Sequence, residues 1–336
     1  MGAADGMSVL VTGGGGYIGS HMVWQLVDAG EKVVVLDNFS TGFRWAIAPE
    51  AVSISGDVGD EVLLDQIIAE HRVEAIIHFA GSIIVPESVA DPLKYYLNNT
   101  AKTRSLIAAA VRGRVRNFIF SSTAAVYGTP DISPVPETAE LKPESPYGRS
   151  KLMSEWMLTD TAFAHDFRFV ALRYFNVAGA DPRGRTGQST KGATLLIKVA
   201  AETAYGKRPS MVIHGTDYPT PDGTCVRDYI HVTDLVAAHS DALAHLRRGG
   251  RSMIANCGYG HGHSVLEVIE TVKRVSGKDF AVVVGPRRSG DATAVVASPA
   301  LIMSEFGWKP RHDDLEEIVR SALAWEAALE KRNQRD

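Results

Sequence analysis

Tyr147 and Lys151 stand four residues apart in the run Ser145-Pro146-Tyr147-Gly148-Arg149-Ser150-Lys151, a spacing that puts both side chains on one face of a helix. A free tyrosine has a pKa of about 10, too high for a base at neutral pH. A neighbouring ammonium favours the phenolate, so the pair can form a base that takes the proton of a hydroxyl. Lowering a phenol to about 7 takes roughly 4 kcal/mol of differential stabilisation, within reach of charges in a dry cleft. Upstream, Ser121-Ser122-Thr123-Ala124-Ala125-Val126-Tyr127-Gly128 closes an apolar run. Thr123 there offers a hydroxyl to relay a proton between substrate and phenol. Tyr-x-x-x-Lys alone is common by chance; after a Ser/Thr-rich strand end it carries weight.

A second constellation lies at the start of the chain. Ser8-Val9-Leu10-Val11-Thr12 runs into Gly13-Gly14-Gly15-Gly16-Tyr17-Ile18-Gly19. Glycines at 13, 16 and 19 permit a tight turn out of a strand, close approach of backbone to a diphosphate, and close packing of the next helix. That helix would offer unpaired N–H groups and its positive end to phosphates. A second apolar run ends in Asp37, where an acid meets the adenine ribose hydroxyls and repels a 2′-phosphate, which favours NAD over NADP. The positive nicotinamide would add to Lys151 in favouring the Tyr147 phenolate. Further strand ends, Gly56-Asp57-Val58 and Phe79-Ala80-Gly81, are candidate cofactor contacts.

These residues need a scaffold that brings strand ends together. Strands are expected at 8–12, 33–36, 52–55, 75–79, 117–121 and 168–172, with helices at 17–29, 60–70, 92–112 and 147–165. Ser145 and Pro146 suit the cap and first position of the last. Alternating strands and helices imply a doubly wound α/β fold of the Rossmann type around a parallel sheet. Continuous apolar runs such as Val33-Val34-Val35-Leu36 fit strands covered on both faces. After about residue 177 the texture changes: 180–192 and 218–223 are rich in Gly and Pro and look like long functional loops. Helices return at 193–205, 233–247, 264–275 and 312–330. The expected division is a dinucleotide domain at 1–176 and a smaller substrate domain at 177–336. Segments near 233–258 are expected back in the first domain, because 253–257 reads as another strand.

Composition narrows the function. The chain has 336 residues and a formal net charge of −4, with no basic run of the kind that tracks nucleic acid. Arg112, Arg114 and Arg116 read as a solvated face. No apolar stretch reaches the length of a membrane span, and the first strand starts too early for a secretory signal, so a cytoplasmic enzyme is expected. Cys225 and Cys257 are too few for a disulfide framework. No metal site is expected: His-Glu-x-x-His is absent, His261 and His263 sit in a glycine loop without acidic partners, and 217–223 lacks calcium-loop spacing.

Taken together, the motifs identify a resemblance to the extended short-chain dehydrogenases, and among them to the UDP-glucose 4-epimerase family. It runs from Ser8 to the C-terminal helix. It includes Leu36-Asp37-Asn38, His78-Phe79-Ala80-Gly81, both catalytic runs above, and Arg173-Tyr174-Phe175-Asn176. Gly215-Thr216-Asp217-Tyr218-Pro219-Thr220-Pro221-Asp222-Gly223-Thr224, Val226-Arg227-Asp228-Tyr229-Ile230-His231-Val232 and Pro286-Arg287-Arg288-Ser289-Gly290-Asp291 look especially like the epimerases.

The resemblance implies tightly held NAD and a UDP-sugar whose C4 is oxidised and then reduced from its other face after the 4-keto sugar turns about its diphosphate. Tyr147 is then the base, with Thr123 and Lys151 assisting. Tyr17, Ile18, Asn38, Asn98 and Tyr174 join the cofactor side; Asn176, Arg227, Arg288 and Asp291 hold the nucleotide. Val295 falls where bulk is linked to N-acetylated sugars, and its modest size extends the expectation to UDP-N-acetylhexosamines. Ile83 stands where many relatives have a lysine, and Leu195 where an Asn or His often touches the nucleotide. A homodimer through the helices at 92–112 and 147–165 is also implied. Ala124 and Ala125 after Thr123 leave a 4,6-dehydratase without its acid. Epimerases of UDP-pentoses or UDP-uronates remain alternatives, and a non-catalytic NAD-sensing regulator is a remote one, since the Tyr–Lys pair is kept.

Overall fold

A computed structural model describes residues 6–288 and 291–332. The first half alternates strands and helices: β1 (Ser8–Thr12), α1 (Tyr17–Asp28), β2 (Val33–Asp37), β3 (Val52–Ser55), α2 (Glu61–Glu70) and β4 (Val73–His78). There follow α3 (Val85–Ala90), α4 (Pro92–Tyr95), α5 (Lys102–Arg112), β5 (Asn117–Thr123), α6 (Pro146–Ala164) and β6 (Arg168–Tyr174). Shorter elements come next: β7 (Asn176–Ala178), α7 (Leu196–Ala204), β8 (Met211–His214), β9 (Val226–Arg227), β10 (Tyr229–His231) and α8 (Val232–Arg247). The chain ends with β11 (Met253–Cys257), β12 (His263–Ser264), α9 (Val265–Ser276), β13 (Val282–Gly285), β14 (Ala294–Val295), α10 (Ala300–Phe306) and α11 (Leu315–Arg332).

Seven strands form one parallel sheet in the order β11-β6-β5-β4-β1-β2-β3. Its central strands β1, β2 and β5 are buried throughout, as their unbroken apolar runs require. On one face Met22, Val23 and Leu26 of α1 and Leu235 and Val236 of α8 pack on the sheet. On the other, Leu64 and Ile67 of α2, Leu106 and Ile107 of α5 and Leu158 of α6 do so. The strand order reverses between β1 and β4, and ligands of such sheets bind in the crevice beyond the strand ends at that point.

Every expected strand of the first half is present, some extended by one or two residues. Ser145 caps α6 through the Gly148 N–H at 3.2 Å, with Pro146 opening the helix. The helix expected over 92–112 is interrupted: α4 and α5 are separated by a π-helical turn at Tyr96–Ala101. The helix expected from 193 starts only at Leu196. Two helices, α3 and α10, and the parallel pair β8–β13 had no expectation; each is too short for its periodicity to show. Strand β11 joins the main sheet beside β6, so the chain returns to its first half as expected of 253–257. Further short strands pair as β12-β9-β14 and β10-β7.

Candidate active site

The glycine loop sits where β1 meets the crevice. Gly13 has φ 73°, and a Cβ there would lie 2.6 Å from the Ala80 N atom, so the two strand-end loops touch backbone to backbone. A Cβ on Gly19 would fall 2.1 Å from the Gly13 carbonyl oxygen. Helix α1 opens at Gly16 with no side-chain cap and no acid in its first turn. Its amides are therefore bare and its dipole unneutralised, which fits a diphosphate. Ile18 and the Tyr17 ring pack on the core, and the Tyr17 hydroxyl donates to the Gly179 carbonyl at 2.7 Å.

Asp37 ends β2 with its carboxylate accepting the Gly15 N–H and the Phe39 N–H, both at 2.8 Å. Asn38 accepts from Ser40 N at 3.0 Å. Asp57 is paired with Lys102 at 2.7 Å and accepts from Gly59 N; burial raises its carboxyl, but Lys102 and its other hydrogen bonds hold it below the usual range. Val58 is buried beside it. All four end or follow β2 and β3, on the side of the crevice beyond the strand ends that would hold adenosine.

In the other half, Tyr147, Lys151 and Thr123 converge. All three are at least nine-tenths buried. Thr123 ends β5, and its hydroxyl accepts the Ala125 N–H at 3.1 Å, turning the chain away so that the side chain faces α6. Burial pushes the Tyr147 phenol up, and its hydrogen bond with Thr123 pulls it back. Lys151 donates to the Ser121 carbonyl at 2.8 Å, and burial lowers its ammonium to about 8. Burial thus outweighs the Thr123 hydrogen bond and leaves the phenol above its usual value.

Phe79-Ala80-Gly81 closes the gap between the halves. A Cβ on Gly81 would come within 3.8 Å of the Lys151 Nζ and 2.9 Å of Asn99 Oδ1. Tyr174 ends β6 with its hydroxyl on the Ser121 hydroxyl. Asn98 donates to Ser82 Oγ at 3.1 Å. The π turn buries the next residue, Asn99, whose amide bonds both backbone groups of Ser82 and the Ser150 hydroxyl.

The residues expected to hold the nucleotide all lie after β6 in the chain. Arg227 and Asp291 pair at 3.3 Å, Val295 lies in register with Arg227, and Asn176 donates to the Asp228 carbonyl at 3.2 Å. Arg288 is exposed, and His214 is pushed down by burial first and then by that guanidinium. Ser289 and Gly290 of the same motif lie outside the described residues. Ile83 is exposed, and Leu195 lines a small cavity with Tyr17, Gly179 and Lys198.

Asp228 is a residue the sequence reading passed over. It is fully buried and accepts from Tyr259 N, Gly260 N and Ala297 N, joining the segments that flank Arg227 and Val295. The histidine reading needs correction: His261 pairs with Asp313 at 2.8 Å and His263 with Glu267 at 2.6 Å. Asp313 is too distant in sequence to be foreseen, whereas Glu267 is one helical turn away. Among the described residues no group of three or more His, Cys, Asp or Glu is placed to hold a metal, and no helix is long and apolar enough to cross a membrane.

Known proteins resemble this chain along nearly its whole length. Residues 9–258 match the model of the NAD dependent epimerase/dehydratase family. A UDP-glucose 4-epimerase of Azospirillum brasilense is 55% identical over 323 residues, covering 96% of this chain and 93% of that protein. The crystal structure of the Brucella ovis UDP-glucose 4-epimerase in complex with NAD superposes with a TM-score of 0.92 at 43% identity, covering 94% of this chain and 97% of its own. The UDP-Glc/GlcNAc 4-epimerase of Campylobacter jejuni gives 0.85 at 47% identity, covering 96% and 99%. With the family model matched over residues 9–258 and a relative 55% identical over nearly the whole chain, this chain belongs to the NAD dependent epimerase/dehydratase family.

Proposed function

We propose that this protein is an isomerase that interconverts UDP-galactose and UDP-glucose by inverting C4 with NAD. The observation that carries the reading is the convergence of Tyr147, Thr123 and Lys151 in one half of the crevice beyond the strand ends, whose other half suits the adenosine of a dinucleotide. Bound NAD supplies reversible hydride exchange at C4. Tyr147 takes the proton of the 4-hydroxyl, with Thr123 bridging hydroxyl and phenol. Lys151, held by the Ser121 carbonyl, is the fixed positive charge beneath the phenolate. The 4-keto sugar would then turn about its diphosphate and present its other face to the returning hydride, while Tyr147 gives the proton back to O4. Asn176, Arg227, Arg288 and Asp291 hold the nucleotide while the sugar turns, and burial of the reacting groups keeps water out.

The cofactor side comprises Gly13, Gly16, Tyr17, Ile18, Gly19, Asp37, Asn38, Asp57, Val58, Phe79, Ala80, Gly81, Asn98 and Tyr174, together with Tyr147 and Lys151. The division of labour places dinucleotide binding in 1–176 and sugar-nucleotide binding in 177–336, with α8 and β11 serving the first. We assign the protein to the cytoplasm and read it as a homodimer. Leu93, Leu97 and Trp156 are exposed on α4, the π turn and α6, beside an apolar groove lined by Tyr96, Ala101, Met153 and Met157, a face suited to a second copy.

The test is incubation of the purified protein, without added NAD, with UDP-galactose, followed by proton NMR. Formation of UDP-glucose by wild type and not by Tyr147→Phe is expected. No conversion by wild type even with NAD added rejects the substrate. Val295 motivates a second reading, turnover of UDP-N-acetylgalactosamine. It predicts that Val295→Tyr loses that activity while keeping UDP-galactose turnover, and absence of both binding and turnover in wild type removes it.

A further inference from the structure

Tyr147, Lys151 and Glu155 follow one another at four-residue steps along α6, so all three lie on the face turned to the sheet, and Glu155 is 1% exposed. Its carboxylate accepts Arg173 Nε at 2.9 Å and Arg173 Nη2 at 2.6 Å, and also accepts the Ser122 hydroxyl. Ser122 and Arg173 are register partners on β5 and β6, one residue before Thr123 and Tyr174, which are partners in turn. The clamp therefore grips α6 one layer below the reacting groups. It extends outward through Arg173 Nη1 to the Tyr127 hydroxyl at 2.9 Å, and from there to Asn256 of β11 at 2.8 Å.

We propose that Glu155 is a positioning residue for the epimerase reaction: clamped by Arg173 and Ser122, it sets the height of α6 against the strand ends, so that Tyr147 meets Thr123, and keeps an anion on the face of Lys151. This rests on the reading of Tyr147 and Lys151 given above. The surroundings of Lys151 show why an anion matters. From β5 it faces the Ser121 carbonyl and the Phe120 ring, 4.8 Å away. From β4 it faces His78, which burial and then Lys151 itself push to about 3 and which is held between the Thr12 and Thr103 hydroxyls. Asn99 and Gly81 bring no charge, and the phenols of Tyr147 and Tyr174 are pushed up by burial. The negative charge acting to keep the ammonium protonated is that of Glu155.

The test compares Glu155→Gln with the double variant Glu155→Gln/Arg173→Met. The single change strands the Arg173 cation and threatens folding; the double change removes both charges and spares the core. Lys151 is titrated without substrate by NMR of protein carrying 13C at lysine Cε, its resonance identified with Lys151→Met. The titration is expected to fall by at least about half a unit in both variants. With UDP-galactose, kcat at neutral pH is expected to fall about tenfold or more, with KM within about twofold. A double variant that unfolds at the wild-type temperature and keeps both the wild-type Lys151 titration and kcat overturns the proposal and makes the pair a packing element. An inactive wild type rejects the substrate assignment instead, and the titration still decides the role of Glu155.

Discussion

The carboxylate of Asp37 accepts the Gly15 N–H at 2.8 Å across twenty-two residues, tying the end of β2 to the glycine loop. One side chain thus holds the loop, and under the proposed function its charge faces the adenine ribose. Asp37→Asn keeps an acceptor for Gly15 but loses the charge. NAD affinity is expected to drop about tenfold, with a smaller loss for NADP, so that discrimination narrows. Isothermal titration with both cofactors checks this; unchanged NAD affinity removes Asp37 from the ribose.

Gly13→Ala combines a left-handed backbone with a Cβ 2.6 Å from backbone. The backbone alone costs roughly 1–2 kcal/mol, and the collision must also part the loops after β1 and β4. Loss of bound cofactor and a clear fall in Tm are expected. Gly30→Ala is the control: its φ is 78° but nothing lies within 4 Å, so it is expected to lower Tm slightly and leave cofactor content alone. Equal behaviour of the two variants refutes the contact.

Lys151 is lowered by burial from 10.5 to about 8. Its folded state binds the proton less well than its unfolded state, so charging it opposes folding below about 8. That opposition relaxes as pH rises from about 8 toward 10.5. Replacement by Met is therefore expected to stabilise the protein more at neutral pH than at pH about 10, read by thermal unfolding. A stabilisation that does not vary with pH excludes titration in that window. Activity runs the other way, and kcat of wild type is expected to decline as pH rises through about 8, where the ammonium is lost.

Leu97 and Trp156 are 55% and 56% exposed. If they face a second copy, Leu97→Glu with Trp156→Glu buries charge at the interface and yields monomer, seen by light scattering after size exclusion, with Tm of the monomer nearly unchanged. A wild type that is monomeric at micromolar concentration disposes of the dimer.

Local signals made much of this protein legible. The strands of the first half show as β-branched runs, Gly13, Gly16 and Gly19 follow the first of them, and Ser145-Pro146 opens the Tyr–Lys helix; each depends on neighbours in the chain. The sequence also resembled its family closely enough to suggest nucleotide-side residues that no spacing would single out. Tertiary structure decided what depends on distant partners. The pairings of Glu155 with Arg173, Asp228 with two separate backbone segments and His261 with Asp313 have no local pattern, because each is made only when distant segments pack. The π turn that buries Asn99 replaces a helix that periodicity alone would have left unbroken. The push of burial on the phenol was also beyond the sequence: charge spacing speaks only for the lowering by Lys151 and a nicotinamide, and packing alone supplies the opposing effect of burial.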